Sequence, residues 1–334
     1  MTHTQQQSIR KKACVALGAM ILVLLPWVAA LTGQEYYISF FSRVLIYAIA
    51  AVSLDLLLGY AGTVSLGHAA YVGVGAYVVG ILFFHSAEME PLFTWPFVFK
   101  GCENALVVIP LAVIISALFA LVFGALSLRT RGMHFIMITL AFAQMLYYFF
   151  VSLEKYGGDD GLSLYNRSAL PGLDLGNDTQ FYYLCLTLLA AFLFFCTRLV
   201  ASRFGLVLRG ARDNERRLNA LGANAYTYKL ACFVIAGAGA GLAGSLLANQ
   251  TEYVSPGLMH WTLSGELMVM VLIGGMGTLF GPVLGAAAFL FMEETLAMIT
   301  EHWMIYMGPF LLLVVIFAKR GLFGLLTGEG KGHD

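Results

Sequence analysis

The chain has 334 residues, 60% of them hydrophobic and 11% charged, with a formal net charge of zero and a mean hydropathy of +0.81. A soluble domain of this length carries about 25% charged residues, so there is too little charge here to cover a water-soluble globule. The composition excludes a soluble α/β protein, and the balanced charge gives no sign of a nucleic-acid partner.

In chain order, ten apolar segments stand out at roughly 13–32, 37–58, 64–84, 104–126, 132–152, 181–200, 229–249, 264–280, 282–300 and 303–318. Most approach the ~20 residues that carry a helix across a bilayer, and none shows the period-two alternation of barrel strands. The expected fold class is all-α: a polytopic helical bundle of about ten transmembrane helices, forming one domain over 1–334. That domain divides into a helical core at 13–320, a loop at 202–228 and a tail at 321–334. The run from Ala13 to Leu31 follows Arg10, Lys11 and Lys12 and exceeds the ~7–15 residues of a signal-peptide core, so it reads as a retained helix.

Two segments later, the stretch "LGYAGTVSLGHAAYVGVGAYVVG" (Leu58–Gly80) is apolar but rich in glycine. It predicts a turn at Gly59–Gly62 and then a helix. Asp55 ends the second span and His68 begins the third, so the two are expected to pair structurally across that turn. Ionisable groups at membrane depth normally face protein or water. Gln144 is the most central polar side chain, on the fifth span. Glu266, Glu293 and Glu294 fall towards outer helix ends, within reach of headgroups or water.

Two longer loops, 85–103 and 153–180, alternate with basic ones. If the N-terminus is cytoplasmic, the inner segments hold Arg10, Lys11, Lys12, Arg129, Arg131, Arg198, Arg203, Arg209, Arg212, Arg216, Arg217, Lys229, Lys319, Arg320 and Lys331, which is 15 of the 19 Lys and Arg residues. The outer side keeps Arg43, Lys100, Lys155 and Arg167. This asymmetry orients the chain with both termini inside. The linker "GGMGTLFGP" at 274–282 is either a tight turn between two spans or a re-entrant break. The loop at 153–180 is rich in turn formers and reads as a solvated connector or a docking surface for an extracytoplasmic partner.

The basic loop Ser202–Lys229 predicts one short helix over 211–221, after Gly210 and stopped by Gly222, with Asp213 and Arg217 spaced i,i+4 and Leu218 and Leu221 forming an apolar edge. Such a helix is too short to stand alone in water and is expected to dock on something. Small residues at four-residue spacing mark packing seams: Gly237–Gly241, Ala240–Gly244–Ala248, Gly277–Gly281–Gly285, Ala69–Gly73 and Ala76–Gly80. The residues Gly62, Ser65, His68, Gly73, Gln144, Gly237, Gly241 and Gly277 are candidates for lining a translocation path or for packing helices. Cys14, Cys185, Cys196 and Cys232 lie within apolar runs, while Cys102 lies in a loop; no metal-ligand spacing is present, and no cofactor is expected. No H-E-x-x-H, G-x-S-x-G or Walker-type loop occurs, so the chain is not expected to be an enzyme, and any ATP hydrolysis belongs to another chain.

The segments "LDLLLGYAGTVSLGHAAYVGVGAY", "LRTRGMHFIMITLAFAQM", "YGGDDGL", "GLVLRGARDNERRLNALGANAYTYKLACFVIAGAGAGLAGSL" and "GELMVMVLIGGMGTLFGPVLGAA" follow one another in an order that resembles branched-chain amino acid ABC importer permeases, the type paired with a second, related permease. The resemblance covers roughly residues 40–320. It implies a multi-pass protein of the bacterial inner membrane. The implied partners are a second homologous permease, two cytoplasmic ABC ATPases and a periplasmic substrate-binding protein, around a lipid bilayer. It also implies that Arg212, Asp213, Asn214, Glu215, Arg216, Ala220, Leu221 and Gly222 form the element that couples to an ATPase. Urea-importer permeases are similar relatives and give the alternative substrate. A stand-alone secondary carrier or channel is the reading from another class, and the sparse central charges argue against its proton-coupled form.

Overall fold

The computed structural model describes residues 3–32, 36–89, 91, 101–299, 302, 305–306, 308–309 and 321–327. Eleven helices carry the argument: α1 (His3–Thr32), α2 (Tyr36–Asp55), α3 (His68–Ala87), α4 (Ala105–Ser127), α5 (Met133–Val151), α6 (Asp178–Ala201), α7 (Arg203–Asp213), α8 (Glu215–Ala220), α9 (Ala225–Thr251), α10 (Trp261–Gly274) and α11 (Gly281–Ile299). A last short helix spans Gly321–Thr327. Among the described residues, seven helical stretches are long and apolar enough to cross a membrane: Tyr36–Tyr60, α3, α4, α5, α6, α9 and α11. Val15–Ala29 within α1, and α10, are shorter apolar helices. The expected span at 303–318 lies largely outside the described residues.

Side-chain chemistry explains where five of the helices begin. Asn104, Asn177, Asn214 and Asn224 each stand just before a helix, and each side-chain oxygen accepts a hydrogen bond from a free amide of the first turn. Ser202 does the same for α7, accepting from Phe204 N at 3.2 Å. These caps satisfy donors that the first turn of a helix leaves unpaired. The start of α3 is different. Its N-terminal residue position, Gly67, offers no side chain, and Ser264 Oγ of α10, nearly two hundred residues on, accepts from Ala69 N at 2.9 Å.

The bundle is layered. In the apolar windows of α2, α3 and α9, 78, 83 and 67% of residues are buried within the chain, against 28, 28 and 17% for α4, α5 and α6. The first three form the centre, and the others offer apolar faces outward, as a membrane protein does toward lipid. Small residues let α9 lie this deep. A Cβ on Gly244 would sit 1.8 Å from the Val72 carbonyl oxygen of α3, and one on Gly237 would sit 2.3 Å from Ala120 Cβ of α4. The seam expected at Gly237–Gly241 is therefore a contact with α4, and Gly244 continues it onto α3. Close backbone approach of this kind replaces the hydrophobic effect, which has little to act on between helices in lipid.

At one end, β1 (Leu162–Ser163) and β2 (Tyr253–Val254) pair antiparallel, with Leu162 opposite Val254. Arg167 fastens this end. Its side chain, only 10% exposed, pairs with Asp178 at 2.7 Å and Glu252 at 3.5 Å, donates to the Leu175 carbonyl at 3.0 Å and lies 4.9 Å over the Phe181 ring. Below this end, Arg43 of α2 pairs with Glu293 of α11 at 3.4 Å, and Tyr36 donates to Glu294. Those two glutamates thus cross-link helices rather than only reaching water.

The linker 274–282 is a tight turn. Gly275 (φ 112°) and Gly277 (φ 73°) take left-handed conformations that end α10, and α11 returns alongside it. A Cβ on Gly285 would meet the Met270 carbonyl at 1.9 Å. Gly281 and Gly285 are therefore seam residues, but Gly277 has left the helix and belongs to the hairpin tip, which corrects the expected three-glycine register. At 1.5 Å per residue the 14 residues of α10 extend about 21 Å, short of a ~30 Å hydrocarbon core.

Candidate coupling site at the basic end

The opposite end gathers α7, α8, the α4–α5 turn, the residues after α2 and the α10–α11 tip. There α2 does not stop cleanly. Leu56–Tyr60 continues it as a π-helical turn, and Gly62 (φ 67°) then breaks the chain direction. A π-turn inside a helix weakens its own hydrogen-bond ladder, and such turns occur frequently at functional positions.

Two remote elements meet this turn. Arg212, near the end of α7, donates from Nη1 to the Gly59 carbonyl oxygen at 2.6 Å. A Cβ on Gly62 would lie 2.5 Å from Arg212 Cγ, so the glycine leaves room for the arginine stem. From the other side, the hairpin tip presses in. Asp55, fully buried, accepts a hydrogen bond through Oδ1 from Gly277 N at 2.8 Å. A Cβ on Gly59 would lie 2.4 Å from that same amide nitrogen. Asp55, Gly59, Arg212 and Gly277 thus form one continuous contact linking the basic loop, the end of α2 and the α10–α11 hairpin.

Asp55 and His68 do not pair, contrary to the expectation from their spacing. Asp55 turns to Gly277, while His68 Nε2 lies 2.8 Å from Ser53 Oγ. Ser53 donates its single proton to the Ala50 carbonyl at 2.7 Å, so it accepts from the imidazole N–H. The other atoms, Asp55 Oδ2 and His68 Nδ1, are buried without a hydrogen-bond partner. The turn between the two residues carries them to different helices.

The expected single helix over 211–221 is also corrected. It is two pieces: α7 runs to Asp213, Asn214 leaves helical geometry (φ −159°, ψ 97°), and α8 restarts at Glu215 under the Asn214 cap. Gly210 lies inside α7 rather than before a helix. The break separates Asp213 from Arg217; Asp213 instead lies 3.5 Å from Arg212 Nε. Asn214 wins because its side chain caps the new helix, accepting from Arg217 N at 3.0 Å. The stop at Gly222 holds. Its φ is 86°, Gly222 N donates to Asn219 O, and Ala223 N donates to Leu218 O, a Schellman closure.

Glu215 holds α8 to the bundle: one oxygen accepts from Lys229 of α9, and the other lies 3.0 Å from Arg131 in the α4–α5 turn. Arg216, Ala220 and Leu221 point away, with Leu221 78% exposed. Arg216 and Leu221 therefore both stand on the outward side of this capped turn.

Of the other expected residues, Ser65 accepts from Gly67 N at 3.3 Å and shapes the turn before α3. Gly73 packs against Met259, whose Cγ would be 2.1 Å from a Cβ there, so it closes α3 onto the turn that precedes α10. Gly237 and Gly241 face α4. Gln144 is half-buried on α5, and its Nε2 is buried without a hydrogen-bond partner. These residues do not join Gly62 and Gly277 in the contact around Gly59. Sequence reasoning missed Gly59 as a receiver of Arg212, and Arg131 and Lys229 as anchors of Glu215, because partners 153, 84 and 14 positions apart leave no local signal.

With this geometry in place, comparison with known proteins adds the lineage. The family model described as the permease component of branched-chain amino acid transport systems matches residues 36–318. The chain belongs to this permease family. Its matched region takes in both the hairpin tip and the α7–α8 loop. The permease protein LivM of a high-affinity branched-chain amino acid transport system in Salmonella typhimurium is 25% identical, over 95% of this chain and 78% of the relative. LivM of Escherichia coli K12 is 25% identical over 87% of this chain and 72% of the relative. A probable branched-chain amino acid transport permease, LivM of Methanocaldococcus jannaschii, is 25% identical over 83% of this chain and 90% of the relative. No solved structure matches. The chain is a multi-pass membrane transport subunit, as its family membership and its apolar helices together establish.

Proposed function

We propose that the chain is a translocating subunit of an ATP-driven importer for branched-chain or related hydrophobic amino acids in the bacterial inner membrane. In this reading residues 1–334 form one permease domain with both termini cytoplasmic. It assembles with a second homologous permease, two cytoplasmic ABC ATPases and a periplasmic substrate-binding protein, and it binds no cofactor. The observation that carries the mechanism is the contact Arg212–Gly59–Gly277. An ATPase seated on the exposed face of α8 moves α7. Arg212 passes that motion to the π-turn at the end of α2, and the α10–α11 tip, held there by Asp55, moves with it. Alternating access follows from tilting these elements against α9, whose small-residue seams permit sliding without opening voids.

The test replaces 211–222 with a neutral linker in the assembled transporter. The expected outcome is loss of ATPase co-purification and of uptake, with the membrane bundle still folded. Undiminished ATPase binding and uptake would overturn the coupling assignment. A substrate panel on the intact assembly decides the rest: uptake of leucine, isoleucine and valine supports the reading, and uptake of urea alone overturns it.

A further inference from the structure

A cavity of about 330 Å³ opens at the basic end, beside the coupling contact and outside the helical core. Four segments far apart in sequence wall it: the turn after α2, the α4–α5 turn, α8 and the first turn of α9. Val64, Leu128, Phe135 and Ile136 give it an apolar side. Arg131, Glu215 and Lys229 line it as well. An open pocket with both apolar and charged lining, at the small end of the ~300–1,000 Å³ range, has room for a small molecule.

The charge pattern narrows the ligand. Glu215 is bonded to Lys229 and lies 3.0 Å from Arg131, so two cations share one carboxylate. One positive charge is left in excess. The Arg131 side chain is 72% exposed and can turn toward a ligand, whereas that of Lys229 is 13% exposed and fixed in the wall. A second carboxylate would balance the surplus without leaving any group unpaired. Glu215 also retains acceptor sites, because an ionised carboxylate takes about four hydrogen bonds, and an ammonium group could join it there. The apolar wall suits a short branched hydrocarbon.

We propose that this cavity binds a small carboxylate with an apolar body, Arg131 and Lys229 receiving the carboxylate, and that the amino acid delivered by the transporter is such a ligand. The second half rests on the substrate reading above; the first half does not. Because Glu215 also anchors α8, an occupied cavity engages the anchor of the proposed ATPase-docking element.

The experiment is calorimetric titration of the assembled transporter in lipid nanodiscs, without binding protein or nucleotide. Three probes separate the groups: L-leucine, 4-methylpentanoate (leucine lacking its ammonium) and 3-methylbutylamine (leucine lacking its carboxylate). Leucine and 4-methylpentanoate are expected to bind saturably and the amine not at all. Arg131→Gln, which leaves the Glu215–Lys229 anchor of α8 in place, should weaken both carboxylates at least tenfold, and Lys229→Met should abolish binding. Absence of saturable 4-methylpentanoate binding, equal binding by Arg131→Gln, or equal binding of the amine overturns the site. If 4-methylpentanoate binds through Arg131 while leucine is neither bound nor transported, the cavity stands and the substrate reading falls. If leucine is transported but neither carboxylate binds, the substrate reading stands and the cavity falls.

Discussion

Replacing Gly59 with alanine tests whether the hairpin tip truly rests on the end of α2. The new Cβ would lie 2.4 Å from Gly277 N and 2.4 Å from Asp55 Oδ1, both well inside the 3.0 Å that real Cβ atoms respect. Neither neighbour is the tip of a flexible side chain that can swing away: one is backbone, and the other is a buried carboxylate bonded to that backbone. The tip must retreat by about 0.6 Å, the difference between those two distances, and the 2.8 Å Asp55–Gly277 hydrogen bond then stretches toward about 3.4 Å, beyond its usual range. Overpacking of this kind costs about 1–3 kcal/mol. Leaving the buried Asp55 oxygen without its donor adds about 1–3 kcal/mol. A loss of about 2–6 kcal/mol is large for one methyl group. Thermal unfolding in detergent should fall accordingly, and hydrogen exchange over 275–280 should quicken, with Gly18→Ala as a control because nothing lies within 4 Å of a Cβ there. An unchanged melt together with unchanged exchange at the tip would refute the contact and the path of motion drawn through it.

Three further outcomes follow from the same geometry. Arg212→Ala should keep ATPase co-purification but lower uptake per ATP hydrolysed several-fold, since it removes a charge-assisted bond of about 1.5 kcal/mol at the partly exposed end of the usual range; equal coupling ratios in reconstituted vesicles would contradict it. Asn214→Ala removes the α8 cap, at about 1 kcal/mol, and should weaken ATPase retention measured by pull-down while leaving the melt of the bundle nearly unchanged. Arg167→Ala should lower the melt by about 1–3 kcal/mol, below the range for fully buried pairs because Asp178 and Glu252 are 39 and 46% exposed, and should leave ATPase binding intact.

Much of the fold was legible because membrane helices announce themselves locally. Each central or lipid-facing span is a long apolar run; the caps at Asn104, Asn177 and Asn224 also act on amides only two positions away, yet the apolar pattern alone does not single them out. The Gly222 stop was legible because its signal is likewise local. Asn214 was read as part of a helix because periodicity around it favoured one; its capping strength, a competing local effect, cut that helix in two. The Asp55–His68 pairing failed because nearness in sequence across a glycine turn does not fix where the side chains point once the α10–α11 tip takes Asp55 and Ser53 of α2 takes His68.

The amino-acid sequence by itself determined that this is a helical membrane protein, which loops are basic, and to which permease family the chain belongs, but not that the segment at 264–280 forms a helix of only 14 residues. Those properties follow from hydrophobicity, charge and local capping, each set by residues within a turn or two of one another. Only the tertiary structure decided that α9 lies at the centre, that Ser264 caps α3, that Glu215 is shared by Arg131 and Lys229, and that Arg212, Gly59, Asp55 and Gly277 form one contact. Each of these joins atoms from segments distant along the chain, and the close approach that glycine permits between such segments depends on where the whole bundle places its helices.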